Sequence, residues 1–123
     1  MKVVELMNKD VVTCHASETL AVIVNKFELF GIAGMPVVEK GKLVGIICQS
    51  DVLRGLKSGE MQKLTVRDVM VSDVITAPST ESVVNLAKIM IEKGVNRVPI
   101  VESDSLVGIV TRGDIIKAVA ESG

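Results

Sequence analysis

Aromatic side chains are almost missing: Phe27 and Phe30 stand alone in 123 residues, with no tryptophan and no tyrosine. This excludes a platform of stacked rings for single-stranded nucleic acid and requires an aliphatic core. Cysteine is scarce as well. Cys14 and Cys48 read as free thiols rather than a disulfide scaffold, and with the single histidine, His15, they lack metal-ligand spacing. Strong charge of one sign is absent: the net charge is −1 and the pI about 5.8, which gives no field for a polyanion. Hydrophobic residues make up 48% and mean hydropathy is +0.46. Even so, Lys, Glu, Asn and Gly interrupt every apolar run before the roughly 18–20 residues a membrane helix needs. The start, "MKVVELMNKD", has no apolar signal core. A soluble cytoplasmic protein without nucleic-acid or membrane partners is expected.

What the chain has is a repeat. Pro36 and Pro99 lie 63 residues apart, and the same offset links Gly31 to Gly94, Gly45 to Gly108, Asp51 to Asp114, Met7 to Met70 and Thr13 to Thr76. Residues 4–54 and 67–117 align without a gap. The intervening "GLKSGEMQKLTV" is polar and contains glycine, a linker signature. The expected division is a first copy at 1–57, a linker at 58–65 and a second copy at 66–123, the two forming one globular module.

Each copy carries the same order of signals. "DVVTC" and "DVITA" are short strand-like runs. "SETLAVIVNKFELFG" and "TESVVNLAKIMIEKG" have helical apolar spacing, with Ser17 and Thr80 as N-caps and Gly31 and Gly94 as stops. β-Branched runs on either side of "KGK" and "SDS" read as hairpins, and "SDVLRGLK" or "RGDIIKAVAES" closes the copy as a helix. A short turn around Leu6 or Val69 stands in front. The fold class is therefore α/β (α+β): tandem strand–helix–strand–strand–helix copies, as two three-stranded sheets packed about a pseudo-twofold axis. Gly45 and Gly108 interrupt strands, which fits either close backbone approach or a bulge. The helices are apolar beyond one stripe, as at Leu86, Ala87, Ile89, Met90 and Ile91, or Ile115, Ile116, Ala118, Val119 and Ala120. Such helices are buried on more than one side, so a homodimer through them is expected.

The ordered set "GVNRVPIVE", "LVGIVTRGD" and the leading "VRDVM" at Val66–Met70 resembles the CBS domain, named after cystathionine β-synthase. Both halves match, so the chain looks like a stand-alone CBS pair, or Bateman module. The resemblance implies clefts between the copies that bind AMP, ADP, ATP or S-adenosylmethionine as regulatory ligands. It also implies pairs that dimerise into a disc, and an effect on an unknown effector protein; it implies no enzyme activity.

In "IVTRGDIIK" a strand runs into a helix beginning near Arg112, where free N–H groups favour acceptor-rich ligands. Asp114 offers an acceptor-only carboxylate to two ribose hydroxyls and Thr111 a hydroxyl to sugar or phosphate; the family uses the matching Thr and Asp this way. Thr111–x–x–Asp114 is equally a capping box, and the two roles are compatible. The family places a basic residue before the proline against phosphate, a role for Arg97 assisted by Asn96. Ile75, Thr76, Ala77, Val98 and Pro99 would line the adenine slot, with ordinary core packing as their other reading.

The corresponding residues of the first copy, Thr13, Cys14, Met35, Pro36, Cys48 and Asp51, form a weaker second site. There Cys48 replaces Thr111 and Ala33–Gly34 replace Asn96–Arg97, so hydroxyl and cation are both lost unless Lys9, Arg54 or Arg112 supplies charge. Two other functions fit parts of the sequence. An assembly module could keep the fold and dimer face without a ligand. A thiol-based redox protein would use Cys48 before a helix or Cys14 beside His15, but no third group is fixed for a triad.

Overall fold

The computed structural model describes residues 1–122. The elements are α1 (Leu20–Phe30), β1 (Gly34–Glu39), β2 (Lys42–Cys48), α2 (Gln49–Leu56), α3 (Val66–Val69), α4 (Val83–Lys93), β3 (Arg97–Glu102), β4 (Ser105–Thr111) and α5 (Arg112–Ser122), with 3-10 turns at Val3–Glu5 and Met61–Lys63. The mixed α+β class and its duplication follow the sequence pattern.

The hairpins form where their signals lie. β1 pairs antiparallel with β2, Glu39 opposite Lys42, and β3 with β4, Glu102 opposite Ser105. Both connections are two residues with positive φ, Lys40–Gly41 and Ser103–Asp104. That geometry matches the right-handed twist of the flanking strands. The register shifts between Val37 and Val38, and again between Ile100 and Val101, so even the bulge is duplicated.

The leading strands are shorter than their sequence suggests. "DVVTC" and "DVITA" contribute one parallel bridge each, Cys14 to Val37 and Ala77 to Ile100. Cys14 N–H donates to Pro36 O (3.1 Å) and Val38 N–H to Cys14 O (2.9 Å). The next donor in line is taken by a carboxylate instead of a ladder carbonyl: Ala16 N–H by Glu39 Oε1 (3.1 Å) and Ser79 N–H by Glu102 Oε1 (3.1 Å). Ser79 also gives its hydroxyl to Glu102, which holds the Glu102 carboxyl below its ordinary range. The side chain thus ends the ladder after one pair.

The helix starts also shift. Thr19 and Ser82, not Ser17 and Thr80, are the N-caps, accepting from Val22 N–H (3.5 Å) and Asn85 N–H (3.0 Å). The residues before them first close turns, Glu18 N–H to His15 O and Glu81 N–H to Pro78 O, which keeps Ser17 and Thr80 outside the helix. Both helices stop at the expected left-handed glycines, Gly31 (φ 62°) and Gly94 (φ 65°).

Two compact units result: Val12–Val74, and Met1–Val11 together with Ile75 onward. The lead segment of each sequence copy therefore packs with the other copy's helices and strands. Val3 is fully buried with Ala77, Leu86, Val98, Ile100 and Val110, while Val66 is fully buried with Leu20, Ile23, Met35 and Ile47. Backbone bonds repeat the exchange. Val3 N–H donates to Glu81 O (2.8 Å) and Asn8 exchanges bonds with Ile109; Val66 N–H donates to Glu18 O (2.9 Å) and Val71 exchanges bonds with Ile46.

This exchange accounts for the strand glycines. A Cβ on Gly45 would lie 2.6 Å from Met70 Sδ and 3.1 Å from Val71 O; one on Gly108 would lie 2.7 Å from Met7 Sδ and 3.2 Å from Asn8 O. Close approach by the lead segment and an adjacent bulge are both present.

Candidate functional site

The second copy's candidate residues gather within one unit, around the start of α5. Across the hairpin Arg97 stands opposite Thr111, Val98 opposite Val110 and Pro99 opposite Ile109. The short leading run "DVITA" lies along β3, with Ala77 N–H donating to Pro99 O (3.3 Å) and Val101 N–H to Ala77 O (3.0 Å). These contacts bring Ile75–Ala77, Asn96–Pro99 and Thr111–Asp114 onto neighbouring backbone.

The capping box is real. Thr111 N–H donates to Asp114 Oδ2 (2.8 Å) and Asp114 N–H to Thr111 Oγ1 (3.3 Å). Asp114 Oδ1 has neither hydrogen bond nor ion pair among the described residues, and the residue is only partly buried. Asn96 anchors the helix start twice: its carbonyl accepts Arg112 N–H (2.8 Å), and its side-chain oxygen lies 3.4 Å from Arg112 Nη1. Arg112 is exposed and Arg97 half-buried. Arg97, Thr111, Arg112 and Asp114 therefore stand on neighbouring backbone at one helix N-terminus, residue types suited to a ligand with both hydroxyl and anionic groups. Val98 is 0% and Ala77 3% exposed, so their side chains serve the core; Ile75 and Thr76 retain partial exposure.

The first copy keeps the frame and changes the chemistry. Gln49 N–H donates to Ala33 O (3.0 Å), the counterpart of the Arg112–Asn96 bond. Cys48 N–H donates to Asp51 Oδ2 (2.7 Å). Asp51 differs from Asp114 in its second oxygen, which accepts from the Arg54 guanidinium, and in being 3% exposed. Both cysteines are free. Cys14 is buried with its thiol toward Pro36 O, and burial, reinforced by the Glu18 charge, pushes its pKa up to about 12. A thiolate nucleophile there is disfavoured. Met35 and Pro36 are buried, Thr13 and Cys48 partly so.

Sequence reasoning missed a cavity of about 290 Å³ lined by Asp51, Arg54, Gly55, Ser58, Leu64, Asp68 and Val69. Asp51 belongs to the anticipated set, and Arg54 is one of the cations the sequence offers to that site. The available signal was the spacing of Asp51, Arg54, Gly55 and Ser58, which places them on one helical face; the wall from Leu64, Asp68 and Val69 depends on the lead-segment exchange. Among the described residues no His, Cys, Asp and Glu cluster could hold a metal ion, and no helix is long and apolar enough to cross a membrane.

Duplicated hairpin units with helix-start boxes define a tandem repeat of one known domain. The sequence profile of the CBS domain matches residues 3–58 and 66–121, and the chain belongs to the CBS domain family. It is 37% identical over 115 residues to inosine-5′-monophosphate dehydrogenase of Methanocaldococcus jannaschii, but spans only 22% of that enzyme's length. It is 32% identical over 154 residues to an uncharacterized protein of the same organism, covering 97% of this chain and 91% of that one. Among solved structures, the CBS domain pair of protein MJ0100 in complex with 5′-methylthioadenosine and S-adenosyl-L-methionine has a TM-score of 0.91 at 29% identity, covering 100% of this chain and 98% of that one. An acetoin utilization protein of Vibrio cholerae gives 0.92 at 27% identity, covering 99% and 93%.

Proposed function

We propose that this CBS pair is a regulatory sensor of an adenosine ligand, AMP, ADP, ATP or S-adenosylmethionine, acting through a partner protein. The observation that carries the reading is Asp114. One carboxylate oxygen serves the helix cap, and the other carries no bond among the described residues. A ribose diol donates to that oxygen in a charge-assisted pair. Thr111 and the α5 N-terminus, with Arg97 and Arg112, receive a phosphate or carboxylate. Asn96 positions Arg112, and backbone along Ile75–Ala77 and Val98–Pro99 receives the base. The adenosine compounds bound to the MJ0100 pair support this ligand class. Occupancy can shift a regulatory equilibrium only as far as the ligand's affinity differs between the two states.

Thermal denaturation with each of the four ligands tests the reading. At a hundred times Kd the folded state gains about 2.7 kcal/mol, roughly 10 °C in Tm for a chain of this size. Asp114→Ala is expected to abolish the shift. An unchanged midpoint with all four ligands would refute the sensor role.

A purely assembling role is favoured by a separate observation. Leu29 is 77% exposed on α1, Val84 68% and Ile91 80% on α4, and Ile116 63% and Val119 65% on α5. Helix faces this apolar support a homodimer whose contact they form. A sedimentation mass of 13.1 kDa at micromolar concentration would rule the dimer out.

A further inference from the structure

The two aspartates at equivalent helix starts differ in what holds their second oxygen. Asp51 Oδ2 accepts from Cys48 N–H, and Asp114 Oδ2 accepts from Thr111 N–H. Three residues on, Arg54 returns to pair with Asp51 Oδ1, whereas Lys117 lies 4.0 Å from Glu121, one turn further along α5. The cause is legible in the repeat. The position 63 residues before Glu121 is Ser58, which gives its hydroxyl to Gly55 O (2.8 Å) and offers Arg54 no competing charge. The first-copy cation therefore folds back onto the buried Asp51 carboxylate.

We propose that Arg54 is a specificity-determining residue that keeps the first-copy site closed to a ribose diol, so that one adenosine ligand binds per chain instead of two. The inference rests on the adenosine-sensor reading above. Asp51 is 3% exposed, and the oxygen corresponding to the open one on Asp114 is already engaged by the Arg54 guanidinium. A diol would have to displace a charge-assisted bond and gain only neutral donors in exchange. The guanidinium stands at the wall of a cavity of about 290 Å³, and its side chain is 60% exposed. Removing it thus frees Asp51 Oδ1 of its charged partner and leaves the packed core intact. Among the described residues, the charged groups on the cavity wall are Asp51, Arg54 and Asp68. Asp68 accepts the backbone N–H and the hydroxyl of Thr65, so it does not draw Arg54 away.

The test is isothermal titration of the full chain with AMP, repeated with S-adenosylmethionine, across the natural sequence, Arg54→Ala, Asp114→Ala and the double variant. The expected stoichiometries per chain are one, two, none and one. The site in the double variant should lose about tenfold in affinity for 2′-deoxy-AMP, as for one lost charge-assisted hydrogen bond. If Arg54→Ala still binds one ligand and the double variant none, the proposal is overturned and the second-copy site stands. Two ligands on the natural chain also overturn it. Binding by Arg54→Ala but not by the natural chain refutes the second-copy site and supports the role of Arg54. No binding by any form overturns both. Thermal melts check that each variant folds. Should Arg54→Ala not fold, Arg54→Gln, which keeps the stem but not the charge, is expected to show the same added site.

Discussion

Val3 opens a 3-10 turn of three residues, Val3–Glu5, in a segment with no longer helix or strand of its own. In the structure it is 0% exposed and belongs to the core of the second copy's unit. Val3→Ala removes two carbons, about 1.6 kcal/mol of transfer free energy, and the unfilled space adds on the order of 1. The expected loss is about 2.5 kcal/mol, or roughly 10 °C in Tm for this size of chain. Urea denaturation measures the magnitude, and amide hydrogen exchange locates it. Because Val3 docks beside Ala77 and Ile100, exchange should accelerate at Val101 and Ile109, whose amides are bonded to Ala77 O and Asn8 O. Protection at Val38 and Ile46, bonded to Cys14 O and Val71 O, should be little changed. Val66→Ala should give the mirror result. A loss below about 0.5 kcal/mol would show that the segment is frayed. Acceleration at Val38 and Ile46 instead would show that the lead segment packs on its own copy, refuting the exchange.

Gly45→Ala should cost about 1–2 kcal/mol, measured by the same denaturation. Met70 can swing aside, but Val71 O, 3.1 Å from the new Cβ, is held by its bond to Ile46, and this overpacking outweighs the entropy gain of removing a glycine; a neutral or stabilised variant would contradict the close approach. Cys14 makes the fold alkali-sensitive. Its folded pKa of about 12 lies above the ordinary 9.0, so the neutral thiol's contribution is complete below pH 9 and is lost as pH rises through 12. Cys14→Ala should flatten stability between these limits, and a pH slope identical to that of the natural chain would refute the assignment. At neutral pH a disulfide reagent should modify Cys48 and spare Cys14, read as one released thiolate per native chain.

The sequence by itself determined several features that depend on short spacing. The two-residue hairpins, the glycine stops at Gly31 and Gly94 and the box at Thr111–Asp114 are each encoded within a few residues, where backbone geometry permits few alternatives, and the 63-residue offset is read by direct comparison of the two copies. The cap positions were less legible: Ser17 and Thr19 offer the same oxygen chemistry, and only the turn closed by Glu18 N–H selects between them. The docking of the lead segments was not legible at all. Val3 and Val66 precede nearly identical apolar frames, and either frame offers each valine an equivalent pocket, so pattern alone cannot say which copy receives which segment. Tertiary structure decided that exchange, and with it the approach of Met70 and Met7 to the strand glycines. It likewise decided the difference between Asp51 and Asp114, because the direction in which a long cationic side chain turns depends on which carboxylates stand nearby in space.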